Sequence, residues 1–170
     1  MKLASVEVIT QALDAKGVRY IVVGGLAVAL HGYSRTTHDV DLVVQLDSQN
    51  VLAAFEVLKP LGYKPVIPIK LEQFADPEVR RNWIEQKHMQ VLNLVSDQHP
   101  ETSIDIFVAE PFDFEREYER AYEQELRPGL KLRVVCLDTL IEMKRRAGRD
   151  KDLIDMKQLS RIREALCEQD

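Results

Sequence analysis

Hydrophobic positions along this chain fall into two alternating rhythms. Between Ser5 and Lys16, Val6, Ile9 and Leu13, with Thr10 beside them, recur at helical spacing, so the pattern predicts an amphipathic helix with Ser5 as its cap and Gly17 just past its end. Tyr20 to Val23 is a short continuous apolar run of the kind that forms a buried strand, and it enters the pair Gly24-Gly25. Leu26 to Leu30 reads as a short helix stopped by Gly32, and Val40 to Leu46 as a second apolar strand. Ser48 is placed to cap a helix carrying Val51, Leu52, Phe55 and Leu58, which Pro60 and Gly62 end. The first part of the chain therefore predicts helix, strand, helix, strand, helix.

The rhythm then loosens. Tyr63 to Ile69 contains Pro65 and Pro68, which lack the N–H a sheet ladder needs, so this stretch is at most an edge strand. Leu71 to Gln86 predicts helical turns around Pro77, with Asp76 as the cap and Trp83 packing the piece onto the core. Met89 to Val95 and Ser103 to Val108 read as two strands joined by the polar link Ser96 to Pro100, hence a hairpin. Phe114, Tyr118 and Tyr122 mark a helical stripe within Phe112 to Tyr122. Pro128-Gly129 suits the centre of a type II turn between Glu123–Arg127 and a strand at Lys131–Cys136. Asp138 is placed to cap a helix bearing Leu140, Ile141 and Met143; Gly148 interrupts it, and Asp150 caps a last helix bearing Leu153, Ile154, Met156 and Leu159. Helices mixed with both alternating and continuously apolar strands indicate an α/β or α+β domain with a mixed sheet, one domain over residues 1–170.

Composition narrows the classes of function. With 30% charged residues and a net charge of −5, the chain has no overall basic field to attract nucleic acid or an anionic membrane. Cys136 and Cys167 have no metal-ligand spacing and are expected to be reduced thiols. No signal-peptide pattern is present at the start, and the longest apolar run, Tyr20 to Leu30, is too short to span a bilayer; a cytoplasmic protein with no membrane partner is expected.

The candidate chemistry gathers around Val22 to Leu46. Side chains two apart on a strand share a face, so Asp39 and Asp41 lie about 6–7 Å apart at the backbone, with Val40 and Leu42 on the opposite face. Two such carboxylates repel unless a cation sits between them, and oxygen-only ligands suit Mg²⁺, with Mn²⁺ as the alternative ion. Gly24 and Gly25 follow a buried strand and open a helix, which lets backbone amides approach a phosphate. A third carboxylate, Asp105, is flanked by Ile104 and Ile106, and burying an acid in so apolar a strand is costly unless it is paired or binds metal. If that strand lies beside Val40–Leu46, three aspartates converge. In the basic cluster Lys144, Arg145, Arg146, Arg149 and Lys151, a solvated face competes with phosphate contact; Asp152 and Asp155 are expected to pair with Arg149 and Lys151 and fix the last helix. His31, His38, His88 and His99 have no mutual ligand spacing.

Apolar-Gly24-Gly25, thirteen residues, Asp39-Val40-Asp41, and a later Ile104-Asp105-Ile106 together resemble the active-site signature of the DNA polymerase beta-type nucleotidyltransferase superfamily. Within it the chain is similar to small bacterial nucleotidyltransferases of the AbiEii toxin-like group, through Arg35-Thr36-Thr37-His38, Ala75-Asp76-Pro77-Glu78 with Arg80, Arg81 and Trp83, and Leu140 to Lys144 followed by Ala147, Arg149, Lys151-Asp152 and Asp155. The resemblance covers nearly the whole chain and implies a nucleotidyltransferase fold and transfer of a nucleoside monophosphate from an NTP to an acceptor hydroxyl, with pyrophosphate released. It implies that Asp39 and Asp41 hold two Mg²⁺ ions and that Asp105 ligates the catalytic ion and helps deprotonate the acceptor. Gly24 and Gly25 would cradle the triphosphate, with Arg35, Thr36 and Lys144 as nucleotide contacts. The acceptor is left open among a tRNA end, a protein and a small hydroxyl compound. Many active members have Gly-Ser where this chain has Gly24-Gly25, so the alternative is a non-catalytic nucleotide- or partner-binding member of a toxin–antitoxin pair, with a cognate toxin or antitoxin as partner.

Overall fold

Four consecutive buried residues, Tyr20–Val23, form a strand with no solvent face, and such a strand must lie inside a sheet covered on both sides. The computed structural model describes residues 1–168. In chain order the elements are α1 (Leu3–Ala15), β1 (Tyr20–Val23), α2 (Gly24–Leu30), β2 (Asp39–Val44), α3 (Ser48–Leu58), β3 (Tyr63–Pro65), α4 (Leu71–Phe74), α5 (Pro77–Lys87), β4 (Val91–Ser96), β5 (Ser103–Phe107), α6 (Phe114–Arg120), β6 (Tyr122–Arg127), β7 (Leu130–Val134), α7 (Leu137–Ala147) and α8 (Asp150–Cys167). Among the described residues all seven strands join one mixed sheet in the order β3-β4-β5-β2-β1-β7-β6.

β1 and β2 run antiparallel with Val23 opposite Asp41, and β2 and β5 run parallel with Asp41 opposite Asp105. β4 is antiparallel to β5, the hairpin that the two apolar runs imply. β3 is confined to the sheet edge, where a strand with prolines around it is tolerated. At the other edge Pro128-Gly129 turns β6 into β7, Gly129 taking the positive φ of +83° that a type II turn requires.

Along β2 and β5 one set of side chains, Val40, Leu42, Ile104 and Ile106, is buried to 1% exposure or less, while Asp39, Asp41, Ser103 and Asp105 on the other face keep partial access to solvent. Burying each of these aliphatic side chains is worth about 1.5–3 kcal/mol, which holds the register that aligns the acids. α1 packs against α3, and α7 and α8 pack together, with α2 touching α7. Trp83 and Phe74 seat α5 and α4 on the core, as the position of Trp83 implies.

Several helix starts differ from the sequence expectation, and at Ser5, Ser48 and Asp138 a tertiary partner claims the expected cap. Ser5 lies buried inside α1, its hydroxyl 3.0 Å from His99 Nδ1, and Lys2 occupies the N-cap position. Asp47 rather than Ser48 caps α3, accepting from the N–H groups of Gln49 and Asn50 at 3.1 and 2.9 Å, while the Ser48 hydroxyl donates to the Ala75 carbonyl at 2.8 Å. Asp138 sits in the first turn of α7 and pairs with Arg163. The buried carboxylate of Glu117 takes up that helix start instead, accepting from Cys136 N–H at 2.7 Å and from the Thr139 hydroxyl at 2.8 Å. Asp150 is the first residue of α8 rather than its cap, and Gly148 ends α7 in the left-handed conformation.

Candidate active site

The site is built where β1 ends. Gly24 has φ +65°, and a Cβ placed on it would lie 1.8 Å from Asp41 Oδ2 and 2.3 Å from Asp41 Cγ. Only glycine fits: the backbone conformation penalises any L side chain, and the Asp41 carboxylate already fills the space a methyl group would take. The next amide, Gly25 N–H, donates to Asp41 Oδ2 at 3.3 Å. The turn after β1 and the acid on β2 are thus one unit, joined across the antiparallel register.

Parallel pairing of β2 with β5 adds Asp105, and one carboxylate oxygen from each of Asp39, Asp41 and Asp105 lies within 4.8 Å of the others. The expected convergence of the three acids is what the structure shows. Burial first, and then the like charges of Asp39 and Asp105, push Asp41 up to about 6, against the opposing pull of the Gly25 amide and Lys144. Asp105 is likewise raised, by burial first and also by Asp39, while the hydrogen bond from Asn93 Nδ2 at 2.6 Å and the charge of Lys151 act the other way. Three oxygen donors so close together form a set suited to a hard divalent cation, and their mutual repulsion is what such a cation relieves.

Around the acids is a cavity of about 530 Å³ lined by Gly24, Gly25, Arg35, Thr37, Asp39, Asp41, Gln90, Asp105, Phe107, Pro111, Leu140, Met143, Lys144, Arg146, Ala147, Arg149, Lys151 and Asp152. The basic cluster of α7 and α8 is therefore not simply a solvated face: Lys144, Arg146, Arg149 and Lys151 all line the cavity that holds the acids. Lys144 and Lys151 meet at one cavity although Gly148 breaks the helix between them.

Lys144 is nearly buried and its Nζ lies 3.3 Å from Asp152 Oδ1 and 3.0 Å from Asp155 Oδ2. Asp152 also accepts from Arg149, and Asp155 from Arg35 Nη1 at 2.6 Å. The expected pairing of Asp152 with Arg149 is present, but the other partners are Lys144 and Arg35 rather than Lys151, because α8 presents both acids to α7 and to the segment before β2. Burial raises the Asp152 carboxyl, but Arg149 and Lys144 prevail and hold it below the usual carboxylate range. Among the described residues no buried side-chain polar atom lacks a hydrogen-bond partner, so this network is closed.

Of the sequence candidates, Gly24, Gly25, Asp39, Asp41, Asp105, Arg35 and Lys144 meet at one cavity. Thr36 does not line it; its carbonyl accepts from Arg35. Its neighbour Thr37 does, with its hydroxyl 2.6 Å from Asp39 Oδ1. The alternation of side chains leading into β2 is the one signal that could have favoured Thr37, since it stands two residues before Asp39. Gln90, which lines the cavity, and Asn93, which donates to Asp105, also escaped sequence reasoning, because the place of both depends on β4 lying beside β5. His38 lies outside the cavity, and His31 is engaged with the Val135 carbonyl at 2.7 Å.

A mixed sheet that carries three acids beside a glycine-opened helix is the nucleotidyltransferase fold. The chain belongs to the family described as nucleotidyltransferase of unknown function (DUF6036), which matches residues 2–165. No curated protein matches it. Among solved structures it is similar to the lincosamide antibiotic adenylyltransferase LnuA bound to lincomycin, with 16% identity over 95% of this chain and 98% of that one and a TM-score of 0.63. A nucleotidyltransferase from Thermotoga maritima has 16% identity, covers 98% of this chain and 92% of its own, and superposes with a TM-score of 0.56. ANT(2'')-Ia in complex with adenylyl-2''-tobramycin has 13% identity over 98% and 97% of the two chains and a TM-score of 0.55. At these identities the likeness is one of fold.

Proposed function

We propose that this protein transfers a nucleoside monophosphate from an NTP to an acceptor hydroxyl, as one nucleotidyltransferase domain over residues 1–170. The observation that carries the proposal is the approach of Asp39, Asp41 and Asp105 to within 4.8 Å beside the Gly24-Gly25 turn. Asp39 and Asp41 would hold Mg²⁺, or Mn²⁺, with Asp105 completing the set. Bound there, a pair of divalent ions would neutralise charge on the transferring phosphoryl group and on both oxygens of the displacement.

The remaining work falls to the chain's own groups. The Gly24-Gly25 turn lines the same cavity and would lie against the triphosphate, and Arg35, Lys144 and Arg149 would supply positive charge along it. The acceptor oxygen attacks the α-phosphorus, a new P–O bond forms, the bond to the β-phosphate oxygen breaks, and pyrophosphate leaves with its electron pair. Asp105 would take the proton from the acceptor hydroxyl.

Two solved proteins of this fold carry small antibiotics or their adenylylated products, which favours a small hydroxyl compound over a tRNA end or a protein as acceptor. Grouping with the AbiEii toxins, a cognate toxin or antitoxin partner, and a cytoplasmic location rest on the sequence resemblance and composition. No described helix is long and apolar enough to cross a membrane. The test incubates the protein with each α-labelled NTP, Mg²⁺ or Mn²⁺, and panels of tRNA, protein and small hydroxyl acceptors. Label should move to one class of acceptor and the Asp39→Ala variant should be silent. Absence of transfer, together with NTP binding unchanged by that substitution, overturns the proposal; NTP binding without turnover favours a binding-only member.

A further inference from the structure

Gly25 has a local reason that its backbone alone does not supply. It lies in α2 and is absent from the glycines of positive φ, so backbone strain does not demand glycine here. Space does. A Cβ on Gly25 would lie 2.7 Å from Thr37 Oγ1, 2.9 Å from Thr37 Cβ and 3.3 Å from Arg35 Cζ. The missing side chain is the notch into which the segment before β2 docks, and Thr37 fills it.

From that notch the Thr37 hydroxyl reaches Asp39 Oδ1 at 2.6 Å, a short bond of the kind a hydroxyl makes to a carboxylate. Asp39 lies at the first position of β2, where the neighbouring strand fixes the main chain but leaves the carboxylate free to rotate. One of its two oxygens is claimed by Thr37, which limits that rotation and leaves the other oxygen's lone pairs for a cation. Arg35, on the same segment, is anchored to Asp155 of α8, so the docking of Thr37 is held from both ends.

We propose that Thr37 is a positioning residue that acts through Asp39, that its hydroxyl orients this carboxylate for the divalent cation, and that Gly25 is glycine because Thr37 occupies its side-chain space. A hydroxyl thus faces this corner of the cavity from residue 37, with none needed at residue 25. The inference rests on the metal site proposed above.

The test measures Mn²⁺ affinity of the full chain by calorimetry and by the loss of free-Mn²⁺ electron paramagnetic resonance signal, for wild type, Thr37→Val, Thr37→Ser, Gly25→Ser and the pair Gly25→Ser/Thr37→Ala. Thermal melts in EDTA report folding. We expect Thr37→Val to weaken Mn²⁺ binding about tenfold while the melting midpoint in EDTA stays near wild type, and Thr37→Ser to keep wild-type affinity. Gly25→Ser should lose affinity as Thr37→Val does, and the pair, which lacks the Thr37 hydroxyl, should bind Mn²⁺ no more tightly while regaining part of the melting midpoint that the clash in Gly25→Ser costs; wild-type affinity in the pair overturns the inference. Wild-type affinity in Thr37→Val, or an equal loss in Thr37→Ser, overturns the inference while leaving the metal site intact. A wild-type chain with no Mn²⁺ binding beyond that of Asp41→Asn overturns both, and does so before any Thr37 variant is compared.

Discussion

Replacing Asp41 by Asn should make the metal-free protein more stable while weakening its metal site. In the folded chain Asp41 rises from 3.8 to about 6, through burial first and then through Asp39 and Asp105. At 1.36 kcal/mol per unit that rise has an upper bound of about 3 kcal/mol, and partial access to water reduces it to about 2 kcal/mol. The sign follows from proton binding: between pH 4 and 6 the folded state keeps a proton that the unfolded chain has released, so stability falls as pH rises through this window. Above about pH 6 the penalty is complete, and below about pH 4 it vanishes. Asn carries no charge at any of these values and its side-chain oxygen can still accept from Gly25 N–H. In EDTA at pH 7.5 the variant should therefore melt roughly 4–8 °C above wild type, and the gap should close toward pH 4. Adding Mg²⁺ at pH 7.5 should raise the wild-type midpoint and move that of the variant much less. The assay is thermal and urea unfolding followed by circular dichroism across pH, with EDTA and with Mg²⁺. A variant less stable than wild type in EDTA at pH 7.5, or a gap that persists at pH 4, refutes the assignment of this penalty to Asp41.

Gly24→Ala places a methyl group on Asp41 in a left-handed backbone; it should cost about 2–4 kcal/mol in urea unfolding and weaken metal binding, whereas an unchanged urea midpoint would mean that this turn relaxes freely. Lys144→Met leaves Asp152 and Asp155 with one cation each and should cost about 3 kcal/mol; in Lys144→Met/Asp155→Asn the loss should be smaller than the sum of the two single variants. Cys136 donates to the Arg120 carbonyl and is pushed up to about 11, by burial first and by Glu117, so at pH 8 a thiol reagent should modify the exposed Cys167 well before Cys136, as read by peptide mass spectrometry.

What the sequence determined by itself is local. The apolar run Tyr20–Val23, the Gly24-Gly25 turn, the alternation that puts Asp39 and Asp41 on one face, the prolines that send β3 to the edge and the Pro128-Gly129 turn all follow from steric and periodic rules acting over a few residues. Asp76 could be read as the cap of α5 because its bonds to the Glu78 and Val79 amides stay within three residues. Ser5, Ser48 and Asp138 could not be ruled out as caps, because what displaced them lies far along the chain: His99, the Ala75 carbonyl, and Arg163 with Glu117. Tertiary structure alone decided that β5 lies parallel to β2, which brings the third candidate acid, Asp105, to the other two. It also brought Arg35 to Asp155, 120 residues away, set Lys144 between two buried acids, and selected Thr37 over Thr36 at the cavity. Local pattern says which residues must be buried or turned; which distant partner fills the space beside them is settled only when the whole core closes.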